Sequence, residues 1–549
     1  MRAVLHRPEV IAPTGMVATP HYLASAAGLR VLRAGGNAIE AAIAASAVCA
    51  VVYPHMCGLG GDSVWLLYDA RQKQVRALNG TGWAGERCTL AFYQQATGGE
   101  AIPPRGFLAA NTVPGAVDAW EKAYTYGRRH FAASLPWPAL FEEAIAYADG
   151  GYPVTASQFH WTWRDTQEAA NPLGSLQRFA GFRQTYLKPD GTPYRAGERL
   201  RQPALARTLR TLAAAGARVF YEGELAERLV RDLEAHGGVL TRDDFRHYHA
   251  TWVAPLRSTY RGYTVYGVPP NTQGLATLLL LNLLAHVDVA ALGEGTADYY
   301  HLMVEATKLA FADRDRWVAD PAFAAIPLAT LLDPAYAGRR LRQLDWQRAA
   351  PPPTPGPAAG DTVAIVSADA QGNGVAMLQS LYFDFGSGIV AGDTGVLLHN
   401  RGSFFSLDPH HPNCLAPRKR PFHTLCPGLL CRGDRLFLLH ATMGGEGQPQ
   451  TQAALVTRLV DFGLPLQAAI EAPRWLYGRT WGMATRDLSL EARVPEAVVQ
   501  ELQRRGHPVR VVAPWDECMG HAQAILIDPA TGMRHGGADP RSDGLALGY

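Results

Sequence analysis

Thirteen residues near the middle of the chain cannot belong to a helix or a strand: Ala349-Ala350-Pro351-Pro352-Pro353-Thr354-Pro355-Gly356-Pro357-Ala358-Ala359-Gly360-Asp361. The prolines remove backbone donors and fix φ, and the glycines loosen the remainder, so the segment reads as an exposed connector. Thr362 follows directly, and then a strand-like run, Val363-Ala364-Ile365-Val366. A threonine at a strand start is ordinarily structural. At the joint between an exposed connector and a buried strand it also permits one particular chemistry. Its hydroxyl can attack the Asp361 carbonyl, shift the acyl group from N to O, and let water cut the ester. The new N-terminal threonine then carries a nucleophile and, in its free α-amine, its own base. That chemistry would leave a large fragment, 1–361, and a small fragment, 362–549.

The rest of the composition is that of a globular protein. Of 549 residues, 48% are hydrophobic and 18% charged, and the net charge is +2, which leaves no long basic block for nucleic acid. The densest basic run, Arg418-Lys419-Arg420, reads as a local anion contact. Seven cysteines are scattered without C-x-x-C pairs, against a disulfide framework or a zinc ribbon and in favour of a reducing compartment. The first eight residues hold no apolar core of a signal peptide. The apolar stretches Ile39 to Val52 and Leu275 to Leu284 are too short to span a bilayer. The expectation is a cytoplasmic protein without membrane, nucleic-acid, metal or cofactor partners.

Along the chain, a strand at 16–19 precedes a helix from Leu23 to Ala34, stopped by Gly35-Gly36. Asn37 caps an alanine-rich helix at 38–52. Gly58-Leu59-Gly60-Gly61-Asp62 leads into strands at 63–68 and 74–78. This order is not the strand, turn, helix of a phosphate loop. Residues 115–340 read as mainly helical, with one β interruption at 260–270. After the connector come strands at 362–368, 374–380, 395–398, 428–432 and 435–439, helices at 449–462, 465–471 and 495–506, and strands at 523–527 and 533–536.

A threonine nucleophile needs a base, an oxyanion hole, a positioning partner and a pocket. An α-amine of pKa about 7.7–8.0 suits the first role at neutral pH. Gly444 and Gly445, in Thr442-Met443-Gly444-Gly445-Glu446-Gly447, offer backbone N–H groups for the second; a plain turn is the alternative. Ser380, at the end of the strand after Thr362, reads either as a partner for the Thr362 hydroxyl or amine, or as a buried serine satisfied by backbone. His410, His411, His440 and Cys414 match no tight metal spacing. His247-Tyr248-His249 is expected at the surface, and Asp539-Pro540-Arg541 as structural support.

With these residues in view, the chain resembles the γ-glutamyltranspeptidase family of N-terminal-nucleophile hydrolases. The likeness runs from about Gly15 to Tyr549. It rests on Gly36-Asn37-Ala38-Ile39-Glu40-Ala41-Ala42, Gly58-Leu59-Gly60-Gly61, Tyr260-Arg261-Gly262-Tyr263, Phe385-Gly386-Ser387-Gly388-Ile389-Val390-Ala391-Gly392, Met443-Gly444-Gly445 and Gly537-Ala538-Asp539-Pro540-Arg541. The resemblance implies an α/β fold, a four-layer α/β/β/α sandwich shared by both fragments. It implies processing between Asp361 and Thr362, Thr362 as nucleophile, Gly444 and Gly445 as oxyanion hole, and Ser380 in place of the family's assisting threonine. The two fragments would form a heterodimer, with a dimer of heterodimers as a further expectation.

The departures from the family concern the substrate. Thr81 falls where the family's carboxylate-binding arginine is placed. Tyr382, Phe404 and Arg401 stand where the family binds the α-amino group. His423 and Thr424 replace its paired serines, and the loop Asn413 to Lys419 is short. An ammonium beside Phe404 and Arg401 finds no carboxylate and is repelled. The expected donor is therefore a small amide with a carboxylate and no amine, its carboxylate paired with Arg401. An Arg401 in solvent, or paired with Asp408, is the alternative. Tyr382, His423 and Thr424 would close the pocket and bond substrate oxygens. Thr19-Pro20-His21 and Val52-Tyr53-Pro54-His55-Met56 resemble the oxamate amidohydrolases of purine breakdown. The rival readings are a glutathione hydrolase or γ-glutamyltransferase, a β-lactam side-chain acylase, and an unprocessed binding homologue.

Overall fold

In the computed structural model, residues 7–132, 134–167, 173–351, 361–478, 485 and 487–549 are described; most of the connector, 352–360, lies outside them. Two seven-stranded antiparallel sheets stack face to face. The first runs, in spatial order, Leu545–Gly548, Met16–Thr19, Asp361–Ala368, Gly374–Tyr382, Asp62–Asp69, Gln74–Gly80, Thr251–Val253. The second runs Val10–Ala12, Arg534–Ala538, Ala522–Ile527, Arg435–Thr442, Gly428–Arg432, Tyr263–Gly267, Leu256–Tyr260. Strands from either side of Thr362 interleave in both sheets, so a cut there would leave neither piece with a complete sheet.

Period-two alternation builds the layers. Val363 and Ile365 pack outward with the helices Tyr22–Arg33 and Ala38–Val52, while Ala364 and Val366 pack inward between the sheets. Leu429 and Leu439 meet them from the second sheet, whereas Leu430 and Leu438 face the helices Gly274–Leu284 and Ala297–Trp317. The result is the α/β/β/α sandwich. The helix Ala38–Val52 is buried at every position and opens on an Asn37–Glu40 capping box. Its Ser46 hydroxyl donates to Gln379 Oε1 at 2.6 Å, and Ser367 Oγ donates to Ala38 O at 2.7 Å. These two bonds fix the helix against the strands on either side of the bend that follows Thr362.

Four expectations change. Asp361, read as the end of the connector, is the first residue of the strand Asp361–Ala368 and pairs with Tyr382. The β interruption begins at Thr251, with strands Thr251–Val253, Leu256–Tyr260 and Tyr263–Gly267, and Tyr260-Arg261-Gly262-Tyr263 is the hairpin turn of the last two, with φ of 48° at Arg261 and 84° at Gly262, the left-handed pair that a tight hairpin demands. Tyr248 is buried, its hydroxyl donating to Thr81 O at 3.1 Å; only its histidine neighbours are exposed. The edge strands Val10–Ala12 and Leu545–Gly548 had no periodicity long enough to read. All seven cysteines carry free thiols, and Cys49, Cys57, Cys88, Cys426 and Cys431 are buried. Among the described residues no helix is long and apolar enough to cross a membrane.

One contact across the two halves of the chain has a pH signature. Glu517 Oε2 accepts from Ser157 Oγ at 2.9 Å and Trp161 Nε1 at 3.0 Å. Burial pushes its carboxyl up from 4.5 to about 7, against the pull of those two donors. The folded state therefore holds the proton more tightly than the unfolded state. The stability this contributes is complete below pH 4.5 and is lost as pH rises through 7. Thermal melts of Glu517→Gln should show a midpoint above wild type at pH 8 and no such gain at pH 5.

Candidate active site

Thr362 sits at an irregularity in its sheet. Asp361 pairs with Tyr382 but Val363 pairs with Gln379, so Thr362 alone faces Ser380 and Leu381. A bulge of this kind re-aims side chains at the end of a ladder. Alternation puts Thr362 on the face of Ala364 and Val366, between the sheets. The residue is fully buried, and its Oγ1 has no hydrogen-bond partner among the described residues.

The bulge is maintained from the opposite strand. Ser380 Oγ accepts from Tyr382 N–H at 2.9 Å, which holds Tyr382 at a φ of 85°, a left-handed value that costs a side-chain-bearing residue about 1–3 kcal/mol. Ser380 Oγ also accepts from Arg401 Nη2 at 3.0 Å, while Arg401 Nη1 donates to Thr424 Oγ1 at 3.1 Å. The guanidinium lies 4.2 Å from the centre of the Tyr382 ring, which stacks on Phe383 and packs at 4.7 Å against Phe404. Arg401 is completely buried, and its Nε is unpartnered among the described residues. It pairs with no carboxylate among the described residues; Asp408 instead accepts from the His410 N–H. Burial lowers its pKa from 12.5 to about 10, with Tyr382 and Asp62 pulling the other way. It thus remains a cation at neutral pH, bonded by two neutral hydroxyls.

Behind Thr424 lies a buried carboxylate. Asp62 Oδ1 accepts from the N–H groups of Gly82 (3.0 Å) and Gly115 (3.1 Å), and Oδ2 from His423 Nε2 at 3.1 Å, with His399 Nδ1 at 3.4 Å. Burial opposes its charge, yet His399 and His423 hold its pKa far below the usual carboxylate range. Glycines let this strand come so close: a Cβ on Gly61 would lie 2.5 Å from Ser380 O, and one on Gly60 2.3 Å from Leu397 O. His423 Nδ1 accepts from the Leu425 N–H at 3.3 Å, so both ring nitrogens are engaged and neither is left to bond a substrate oxygen. Thr81 is similarly committed, its hydroxyl donating to Asn79 Oδ1 at 2.7 Å.

Gly444 and Gly445 end the strand Arg435–Thr442 with φ of 134° and 49°, values that relieve a Cβ-free residue only. Neither N–H donates to another described residue, whereas Gly445 O accepts from Gln273 Nε2 at 2.7 Å. The same nitrogen donates to Thr424 O at 2.7 Å. Gln273 Oε1 accepts from Arg314, whose guanidinium pairs with Glu446 at 2.9 Å. A continuous set of bonds therefore links Ser380, opposite Thr362, through Arg401, Thr424 and Gln273 to the glycine turn.

Thr362, Ser380, Tyr382, Arg401, Phe404, Thr424, Gly444 and Gly445 are thus assembled together, with His423 one layer behind and Thr81 turned into an asparagine network. Asp361 is described by its backbone alone. Asp62, Gln273 and Arg314 were missed. Asp62 alone had a local signal, an acid at the end of a glycine turn. His410 and His411 are exposed while His440 is buried against Gly428. The metal-type cluster among the described residues, His301, Glu305 and His507, already has a cation: Lys308 Nζ lies 2.7 Å from Glu305.

Residues 24–549 match the family described as gamma-glutamyltranspeptidase. A "Glutathione hydrolase-like YwrD proenzyme" of Bacillus subtilis is 47% identical over 98% of this chain and 99% of its own length. An "Oxamate amidohydrolase proenzyme" of Klebsiella pneumoniae is 44% identical over 97% and 98%. The crystal structure of a cephalosporin acylase from Bacillus halodurans superposes with a TM-score of 0.90 at 36% identity, covering 100% of this chain and 98% of that one.

Proposed function

This chain belongs to the γ-glutamyltranspeptidase family of hydrolases, and on that footing we propose that it is a self-processing N-terminal threonine amidohydrolase acting on a small carboxylate-bearing amide such as oxamate. The observation that carries the reading is Arg401: a buried cation without a carboxylate partner among the described residues, bonded to Ser380 directly opposite Thr362. A substrate carboxylate would complete it. Glutathione offers a carboxylate beside an ammonium, and the ring of Phe404 next to Arg401 gives that ammonium no partner. The packed rings Tyr382, Phe404 and Phe422 leave a bulky acyl group less room than a two-carbon acid.

In the processing step Thr362 Oγ adds to the Asp361 carbonyl, the C–N bond breaks, and the amine is freed as an ester forms. Water cleaves that ester, leaving Asp361 as a carboxylate on the fragment 1–361. In turnover the α-amine takes the Thr362 hydroxyl proton as Oγ adds to the amide carbon. The oxyanion is met by the Gly444 and Gly445 N–H groups. Collapse expels ammonia, which takes the proton from the α-ammonium. Water, deprotonated by the same amine, then releases the acid; from oxamate the products are oxalate and ammonia. Ammonia release from oxamate, measured beside γ-glutamyl-anilide hydrolysis, tests the substrate; ready turnover of the anilide with oxamate left intact would overturn it. Gly444→Ala puts a Cβ at a φ of 134°, mis-aiming a donor. It should cut kcat by about 10²–10³-fold in protein that is still processed.

A further inference from the structure

We infer that Asp62 is a positioning residue for the carboxylate site: it fixes the tautomer of His423, and His423 in turn holds Thr424 where it orients Arg401. The inference rests on Arg401 binding the substrate carboxylate.

The hydrogen bonds assign the proton. A main-chain N–H can only donate, so His423 Nδ1, 3.3 Å from Leu425 N, is an acceptor. The ring proton then lies on Nε2 and is donated to Asp62 Oδ2 at 3.1 Å. The ring is wholly buried and stays neutral, because burial and the nearby Arg401 push its pKa down to about 3. Asp62 cannot turn away from this duty. Its other oxygen is pinned by the Gly82 and Gly115 N–H groups, and its strand is registered to the nucleophile's neighbour by the Ser380–Asp62 pairing. The imidazole therefore spans two fixed points, a carboxylate on one side and the Leu425 N–H on the other. Thr424 is the residue between His423 and Leu425, and its hydroxyl is one of the two that orient the guanidinium.

An amide in place of the carboxylate breaks this arrangement in a specific way. In Asp62→Asn the side-chain oxygen can still accept from Gly82 and Gly115, which turns the NH2 toward His423 Nε2. The ring must move its proton to Nδ1, where it meets the Leu425 N–H donor to donor. The 423–425 segment has to open, and Thr424 moves with it. His423→Gln is the complementary case: its amide nitrogen can donate to Asp62 while its oxygen accepts from Leu425, so the pattern survives. His423→Leu has neither group.

The test is titration calorimetry of processed protein with oxalate, alongside ¹⁵N NMR of the imidazoles. Wild type should show His423 as the Nε2–H tautomer. Asp62→Asn and His423→Leu should each weaken oxalate at least about tenfold, a change of 1.4 kcal/mol, with both fragments present. His423→Gln should stay within about threefold of wild type. Oxalate binding unchanged in both Asp62→Asn and His423→Leu would overturn the inference, as would an Nδ1–H tautomer in wild type. If Asp62→Asn does not fold, the Gln and Leu variants at 423 decide alone: equal affinities reject the inference. Wild-type protein that ignores oxalate would refute the Arg401 reading instead, and the tautomer would still judge Asp62.

Discussion

Thr362→Ala should leave a single uncut chain and abolish turnover, while the wild type yields two fragments, the smaller beginning at Thr362. The expected loss in rate is about 10⁶-fold, the scale on which a lone nucleophile is worth as much as its whole constellation. Both losses trace to one atom. Thr362 Oγ1 is buried without a hydrogen-bond partner among the described residues, so its removal breaks no bond within them, and the neighbouring Val363 and Ile365 still anchor the strand. The variant should therefore melt close to the unprocessed wild type. Thr362→Ser separates chemistry from packing: it keeps the hydroxyl, loses a methyl, and should still be cut. Intact mass spectrometry reads the processing, and ammonia release reads the turnover. A wild type that remains whole would withdraw the nucleophile assignment; a Thr362→Ala chain that is cut and active would place the chemistry elsewhere.

Local signals carried the central elements. The helix Ala38–Val52 was legible to its ends because its cap, Asn37 with Glu40, is encoded within four residues. The strand Asp361–Ala368 was legible because it follows a proline-rich segment and alternates against two different layers. The edge strands were not, since three or four residues cannot display a period. The site divides along the same line. Thr362, the glycine turn and the substitution at Arg401 are features of single segments. That Arg401 is sealed away from every described carboxylate is a property of the packed sheets, invisible in a residue name. Asp62 draws its hydrogen bonds from Gly82, Gly115 and His423, with the His399 ring beside them, residues separated by up to several hundred positions. Only the register that brings Asp62 opposite Ser380 gathers them. Gln273 stood in the sequence as the last of three polar residues, Asn271-Thr272-Gln273, before an apolar helix, with nothing to mark that its amide would join Thr424 to Gly445.

Arg401→Met should lower kcat/KM for an anionic amide by about 10²–10⁴-fold, since two charge-assisted hydrogen bonds of about 1.5–3 kcal/mol each are withdrawn. Arg401 is also costly to keep. A pKa brought from 12.5 to about 10 corresponds to about 3 kcal/mol against the charged form in the folded protein. The sign follows from a lowered pKa on a base. The penalty is complete below pH 10 and fades only as pH rises through 10 toward 12.5, so it is carried throughout the physiological range. A carboxylate ligand offsets that penalty, which predicts a thermal shift. Oxalate at 100 times its dissociation constant should stabilise the processed wild type by about 2.7 kcal/mol and leave the Arg401→Met midpoint unmoved. Arg401→Lys should fall between, because an ammonium keeps the charge but cannot span Ser380, Thr424 and a carboxylate with one planar fork. A structural role alone would lower the midpoint of Arg401→Met without ligand and leave its response to oxalate intact. A methionine variant that still gains stability from oxalate would therefore remove Arg401 from the substrate site, and the case for a carboxylate-bearing donor with it.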